Sequence, residues 1–293
     1  SQDSTYKGVA PGAKIVALKA CNSGGSCRDS DVLASLEWCV TNSTKYNISV
    51  VSLSLGRGSY TSACDSSINS NYATLINQAV DQNISVVIAT GNSAGCSVGI
   101  EAPSCITNAT RASATDKSDV IASYAMRHAS FPDILLAPGS NVVTTDYLGG
   151  FSSGTGTSLS TPHIAGAIAL IQQYHRLLRN VSLPPHQLKQ VLNITGKPIA
   201  DAVTGISYAR IDVNATLNAL DASAPLLMLI TPTPAAAATT RTPRLMRIMR
   251  YLLRERSVYS ALPSQSSAPA GWSKSHAGDR VPAGWAQGGL ARA

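Results

Sequence analysis

Residues 154–166, Gly-Thr-Gly-Thr-Ser-Leu-Ser-Thr-Pro-His-Ile-Ala-Gly, lead without a break into Ala167, Ile168, Leu170 and Ile171. Gly154, Gly156 and Thr157 are small enough for a tight turn, and the apolar residues from Ile164 onward recur at helical spacing. A turn that opens directly into a buried helix places Ser158 at the N-terminal edge of that helix. The first backbone N–H groups of a helix have no intrahelical partner, and its dipole favours negative charge there. A serine hydroxyl in that field is suited to acyl transfer. The same residues also describe an ordinary serine N-cap with proline in the first turn, so the surrounding chain has to decide.

That chain alternates strand-like and helix-like segments. Residues 15–19 read as a half-buried strand. Residues 29–46 carry Val32, Leu33, Leu36, Trp38, Cys39 and Val40 at helical spacing. Residues 48–56 are continuously apolar in the manner of a buried parallel strand. A second helix is expected over 68–83, with Leu75, Ile76, Ala79 and Val80 inward, and further buried strands over 84–90 and 134–139. The helix that begins near Ser158 runs to about Leu178, Pro184-Pro185 opens another, and 209–214 form a last strand and turn. Such alternation implies right-handed crossovers and an α/β fold of three layers, a mostly parallel sheet with helices on both faces.

Gly156-Thr157-Ser158, with Pro162-His163 behind it, resembles the nucleophile motif of the subtilisin-like serine proteases, or subtilases. Gly8-Val9-Ala10-Pro11-Gly12-Ala13 before a strand is similar to the same family, as are the strand before the serine turn and the segment 209–214. The resemblance covers about 1–220. It implies a secreted serine endopeptidase acting on polypeptides through an acyl-enzyme on Ser158, with 1–222 a partial peptidase domain. Asn92, ending Ala89-Thr90-Gly91-Asn92, resembles the family's oxyanion-hole asparagine, whose amide would act with the backbone N–H of the serine; a Gly-Asn pair is also a common strand-ending turn. By the same resemblance Ser54, Leu55 and Gly56 would pair with an extended substrate. That strip and Ala89, Thr90 and Gly91 would flank the pocket for the side chain before the scissile bond. Neither strip carries an acid or a base, which implies an apolar or medium-sized preference. Arg57 stands where many relatives have a second glycine.

Acyl transfer also needs a base and a group to orient it. The family's Asp-Ser/Thr-Gly and His-Gly-Thr-His strings do not occur. Of the five histidines, His163 belongs to the serine motif, where relatives use it for packing; His128, His175, His186 and His276 lie in no similar context. In the family the Gly-Val-Ala-Pro segment follows the histidine helix. The expectation is therefore a fold incomplete at its N-terminus, with an open sheet edge, a nucleophile without its base, and little activity on its own. The rival expectation is a non-catalytic pseudoprotease that keeps the fold as a binding module.

Charge argues against a nucleic-acid role for the folded part. The net charge is +7, yet residues 1–230 hold 14 basic and 14 acidic side chains, and 231–293 hold 9 and 2. The excess lies in a tail, 223–293, that begins with a Pro/Ala-rich linker. Arg241, Arg244, Arg247, Arg250 and Arg254, interleaved with Leu and Met, read there as a basic amphipathic helix able to rest on an anionic surface. Pro-Ala-Gly-Trp recurs at 269–272 and 282–285. Six cysteines, all within the first 105 residues and without Cys-x-x-Cys spacing, suggest disulfides formed in an oxidising compartment. Cys21 with Cys27 and Cys96 with Cys105 would each close a short loop, while spacing alone leaves the connectivity open. No run reaches the ~18 apolar residues of a membrane span. A monomer is expected, with no metal ligands and no cofactor; structural calcium is common in relatives but has no assignable residues here.

Overall fold

Residues 48–53 and 85–89 are short, rich in β-branched side chains and buried at every position, as strands covered on both faces must be. In the computed structural model, which describes residues 6–93, 99–146, 149–222 and, as backbone, 288–292, they lie at the centre of an eight-stranded sheet. The chain runs through β1 (Lys14–Val16), α1 (Asp29–Thr41), α2 (Ser43–Tyr46), β2 (Ile48–Leu53), β3 (Arg57–Tyr60), α3 (Ser70–Asp81), β4 (Ser85–Ala89), β5 (Ile100–Ala102) and β6 (Thr110–Thr115). It continues through β7 (Leu135–Pro138), β8 (Val142–Thr145), β9 (Phe151–Gly154), α4 (Thr157–Arg179), α5 (Pro185–Thr195), β10 (Lys197–Ala200), β11 (Ser207–Arg210), α6 (Val213–Ala222) and β12 (Gly288–Arg292).

The sheet order is β1-β12-β2-β4-β6-β7-β11-β10. Strands β2, β4, β6, β7 and β11 are parallel, and β10 closes one side as an antiparallel edge. Helix α4 crosses β2, β4, β6 and β7 on one face, while α1 packs on α3 and α3 on β4. Side chains alternate along each strand. Val51, Leu53, Val86 and Ile88 accordingly join Val32, Leu36, Ile76 and Ala79 of α1 and α3 in one buried cluster. Val50 and Val87, equally buried, point the other way, toward α4. Close approach to α4 is needed at Gly166, where a Cβ would stand 2.9 Å from that of Val9.

Two expectations are corrected here. Gly288–Arg292 had been read as part of a tail, yet they pair antiparallel with both β1 and β2, so β1 and β2 are not left with bare facing edges. The unmatched N–H and C=O groups of a central strand demand a partner, and an extended segment of any sequence can supply one. The remaining tail readings, including the basic helix and the Pro-Ala-Gly-Trp pair, fall on 223–287, outside the described residues. The cysteines also differ in part. Cys21–Cys27 pair as expected, but Cys105 bonds Cys64, at a Cα separation of 5.4 Å, in place of Cys96. Cys64 and Cys105 are both fully buried and share a backbone hydrogen bond of 3.3 Å. Cys39 remains a free thiol in the core, and burial raises its pKa to about 12.

Candidate active site

Ser158 is the second residue of α4, where the turn-to-helix reading placed it. The hydroxyl-rich first turn is explained by what each neighbour binds. Thr157 Oγ1 donates to Asn92 Oδ1 at 2.9 Å and accepts from the Gly91 N–H at 3.3 Å. Ser160 Oγ donates to the Ala137 carbonyl at 2.9 Å, and Thr161 Oγ1 to the Thr157 carbonyl at 2.8 Å. Strand β7 and the segment after β4 are thereby fastened to the start of α4. Ser158 is the exception: half-buried, its hydroxyl has no partner among the described residues.

Asn92 stands beside this turn with a defined orientation. Its Oδ1 accepts both from the Thr157 N–H at 2.8 Å and from the Thr157 hydroxyl. The Nδ2 amide, a donor, is thus turned toward Gly156, where a Cβ would lie 3.3 Å from it. Gly156 has φ +155°, which only glycine adopts readily, and it leaves this approach open. An amide donor thus lies beside the turn that opens α4, and Ser158 in the first turn keeps a hydroxyl with no partner among the described residues. Chemically, a serine hydroxyl beside such donors is able to attack a carbonyl whose developing oxyanion they would hold.

Ser54 follows β2 directly and donates its hydroxyl to the Ser158 carbonyl at 2.9 Å, which brings the 54–56 strip against the helix start. Ala89, Thr90 and Gly91 end the neighbouring strand β4 and are all buried. The two strips therefore follow neighbouring parallel strands and lie side by side.

The strips themselves carry no acid, but a carboxylate from outside them lies against both. The Glu101 side chain from β5 reaches both strips: a Cβ on Gly56 would meet Glu101 Oε2 at 2.6 Å, and one on Gly91 would meet its Cδ at 2.6 Å. Burial raises the pKa of this carboxyl. Met126 lies under Gly91 and is fully buried. Sequence reasoning missed Glu101 because no periodicity or motif ties it to the strips; the antiparallel pairing of β3 with β5 brings it there.

The histidines supply no base to Ser158 among the described residues. The His163 ring engages the Leu159 carbonyl at 2.7 Å, and burial lowers its pKa. His128 accepts from the Ser130 N–H, and His175 is hydrogen bonded with the Val181 carbonyl.

A three-layer α/β fold presenting a serine at the mouth of its central helix, with an asparagine amide beside it, defines a class of serine hydrolase-like sites. The family model of the subtilases, Peptidase_S8, matches residues 1–217, and the chain belongs to that family. It is 34% identical over 179 residues to Subtilisin Savinase of Lederbergia lenta, covering 61% of this chain and 61% of that protein. To an alkaline protease of Alkalihalobacillus alcalophilus it is likewise 34% identical over 179 residues, but covers 43% of that protein. The chain thus spans less than two thirds of these relatives. The fold is similar to that of the patellamide maturation protease PatA, with a TM-score of 0.60 at 17% identity over 69% of this chain and 72% of the other.

Proposed function

We propose that this chain is the nucleophile-bearing part of a secreted serine endopeptidase. In that reading Ser158 Oγ attacks the scissile carbonyl of a polypeptide, its proton passing to a base. The C–N bond then breaks, the amine leaves with a proton, and water hydrolyses the Ser158 ester. The oxyanion is held by Asn92 Nδ2 and the Ser158 N–H, while the extended substrate lies along Ser54, Leu55 and Gly56. The observation that carries the reading is the pair of hydrogen bonds that Thr157 donates, from its N–H and its hydroxyl, to Asn92 Oδ1, which leaves the amide donor on the side of the serine turn. Two disulfides support an extracellular setting. Acyl transfer through serine calls on no cofactor, and the neutral charge of residues 1–230 supports a protein substrate over a nucleic acid.

Catalytic groups of this kind act as a unit, and Ser158 has no base among the described residues. The chain by itself is therefore feebly active in this reading. A fluorophosphonate probe tests it: slow labelling that maps to Ser158 and is absent from Ser158→Ala supports the nucleophile. Labelling indifferent to that substitution, or none over days, overturns it. Rapid stoichiometric labelling would instead overturn the feeble activity. The lack of a base beside Ser158 among the described residues also favours a second reading, a binding module, which peptide binding without any labelling would support.

A further inference from the structure

We propose that Glu101 makes the pocket between Ser54–Gly56 and Ala89–Gly91 selective for a cationic side chain, lysine or arginine, immediately before the bond to be cut. The proposal rests on reading those two strips as the substrate walls.

Position comes first. The Glu101 N–H donates to the Thr90 carbonyl at 2.8 Å, tying β5 to the second strip. On its other side β5 pairs with β3, the direct continuation of the first strip, with Arg57 opposite Ala102 and Tyr60 opposite Ile100. Glu101 is held from both sides, and its carboxyl touches the glycine of each wall. Glycine at 56 and 91 is what leaves room for it, since a methyl group at either position would collide.

Partners come second. Among the described residues the carboxylate of Glu101 has neither an ion pair nor a hydrogen-bond donor. The cation nearest along β3 is Arg57, and its guanidinium is committed to Asp29. A half-buried carboxylate without a partner is costly, and its raised pKa has the same origin, loss of water without a compensating charge. A lysine or arginine side chain entering between the strips would supply that charge. The buried Met126 beneath Gly91 would take its aliphatic stem.

The alternative is that Glu101 merely fills the space and leaves room only for a small side chain. Binding distinguishes the two without requiring turnover. The full chain is titrated with acetyl-Ala-Ala-Ala-X-amide peptides, X being Arg, Lys, Gln, Leu or Ala, and dissociation constants are read by NMR. The expected result is Arg and Lys about tenfold or more tighter than Gln or Leu, with the advantage lost in Glu101→Gln, which keeps the shape and removes the charge. Tightest binding by Ala or Leu, or a preference unchanged in Glu101→Gln, overturns the cationic pocket and leaves the substrate strips standing. No binding by any peptide overturns both. The comparison among peptides on the unmodified chain holds even if the variant folds poorly.

Discussion

The hydroxyl of Ser54 donates to the main-chain oxygen of Ser158 across 104 residues of sequence, at 2.9 Å. The reason lies one turn further on. Residue 162 is proline and has no N–H, so the Ser158 carbonyl loses the i→i−4 bond that an α-helix would give it. Ser54 satisfies the orphaned oxygen, and in doing so it seats the start of α4 against the end of β2. Ser54 is buried, so Ser54→Ala should cost about 1 kcal/mol or more, read by chemical denaturation. In Pro162→Ala the restored N–H competes for the same oxygen, and the cost of removing Ser54 should shrink. Equal costs in both backgrounds would contradict this account.

Asn92→Asp separates scaffold from chemistry. A carboxylate still accepts from Thr157 and suits a helix N-terminus, so unfolding free energy should change by less than about 0.5 kcal/mol. The amide donor is gone, however, and a negative charge faces the oxyanion. Labelling of Ser158 by the fluorophosphonate should fall by about 100-fold or more, followed over hours by mass spectrometry. A variant that labels at the original rate would remove Asn92 from the site.

Arg127 and Asp201 form a bidentate pair at 2.7 and 2.8 Å, with only 4% of each side chain exposed. Burial alone would raise the pKa of Asp201, but hydrogen bonds from Arg127 and Thr204 and the charge of Arg127 outweigh it and bring the value to about 2. A folded-state pKa below the unfolded one gives stability that is present above about pH 4 and lost as pH falls toward 2. The loss should be roughly 2 kcal/mol, measured by urea unfolding between pH 2 and 5. In Asp201→Asn that part of the pH dependence should vanish, with stability at neutral pH lower by roughly 3 kcal/mol because the buried Arg127 loses the carboxylate charge and one of its two carboxylate acceptors.

Disulfide mapping should recover Cys21–Cys27 and Cys64–Cys105. Cys39, buried and with its pKa raised to about 12, should resist iodoacetamide in the native protein at pH 8 and react on unfolding. Removing Cys64–Cys105, whose cysteines lie 41 residues apart, should cost roughly 3 kcal/mol. Native-state alkylation of Cys39 would contradict the core placement.

What was legible in the sequence was local. A glycine turn running into an apolar helical stretch placed Ser158 at the head of α4, and short runs rich in β-branched residues indicated β2 and β4, because periodicity and turn chemistry are properties of neighbours along the chain. Asn92 was legible only because it ends one of those runs. Glu101, the Cys64–Cys105 bond and the place of Gly288–Arg292 in the sheet were not legible. Each depends on a pairing between segments distant in sequence, β3 with β5, residue 64 with 105, β12 with β1 and β2, for which local patterns carry no signal. The sequence by itself thus determined the place of Ser158 at the head of its helix, and the family. Only the tertiary structure decided that Glu101 lies against Gly56 and Gly91, which hydroxyl caps the Ser158 carbonyl and which strand pairs with β1 and β2, because those outcomes rest on backbone partners and buried volume that form when the layers close.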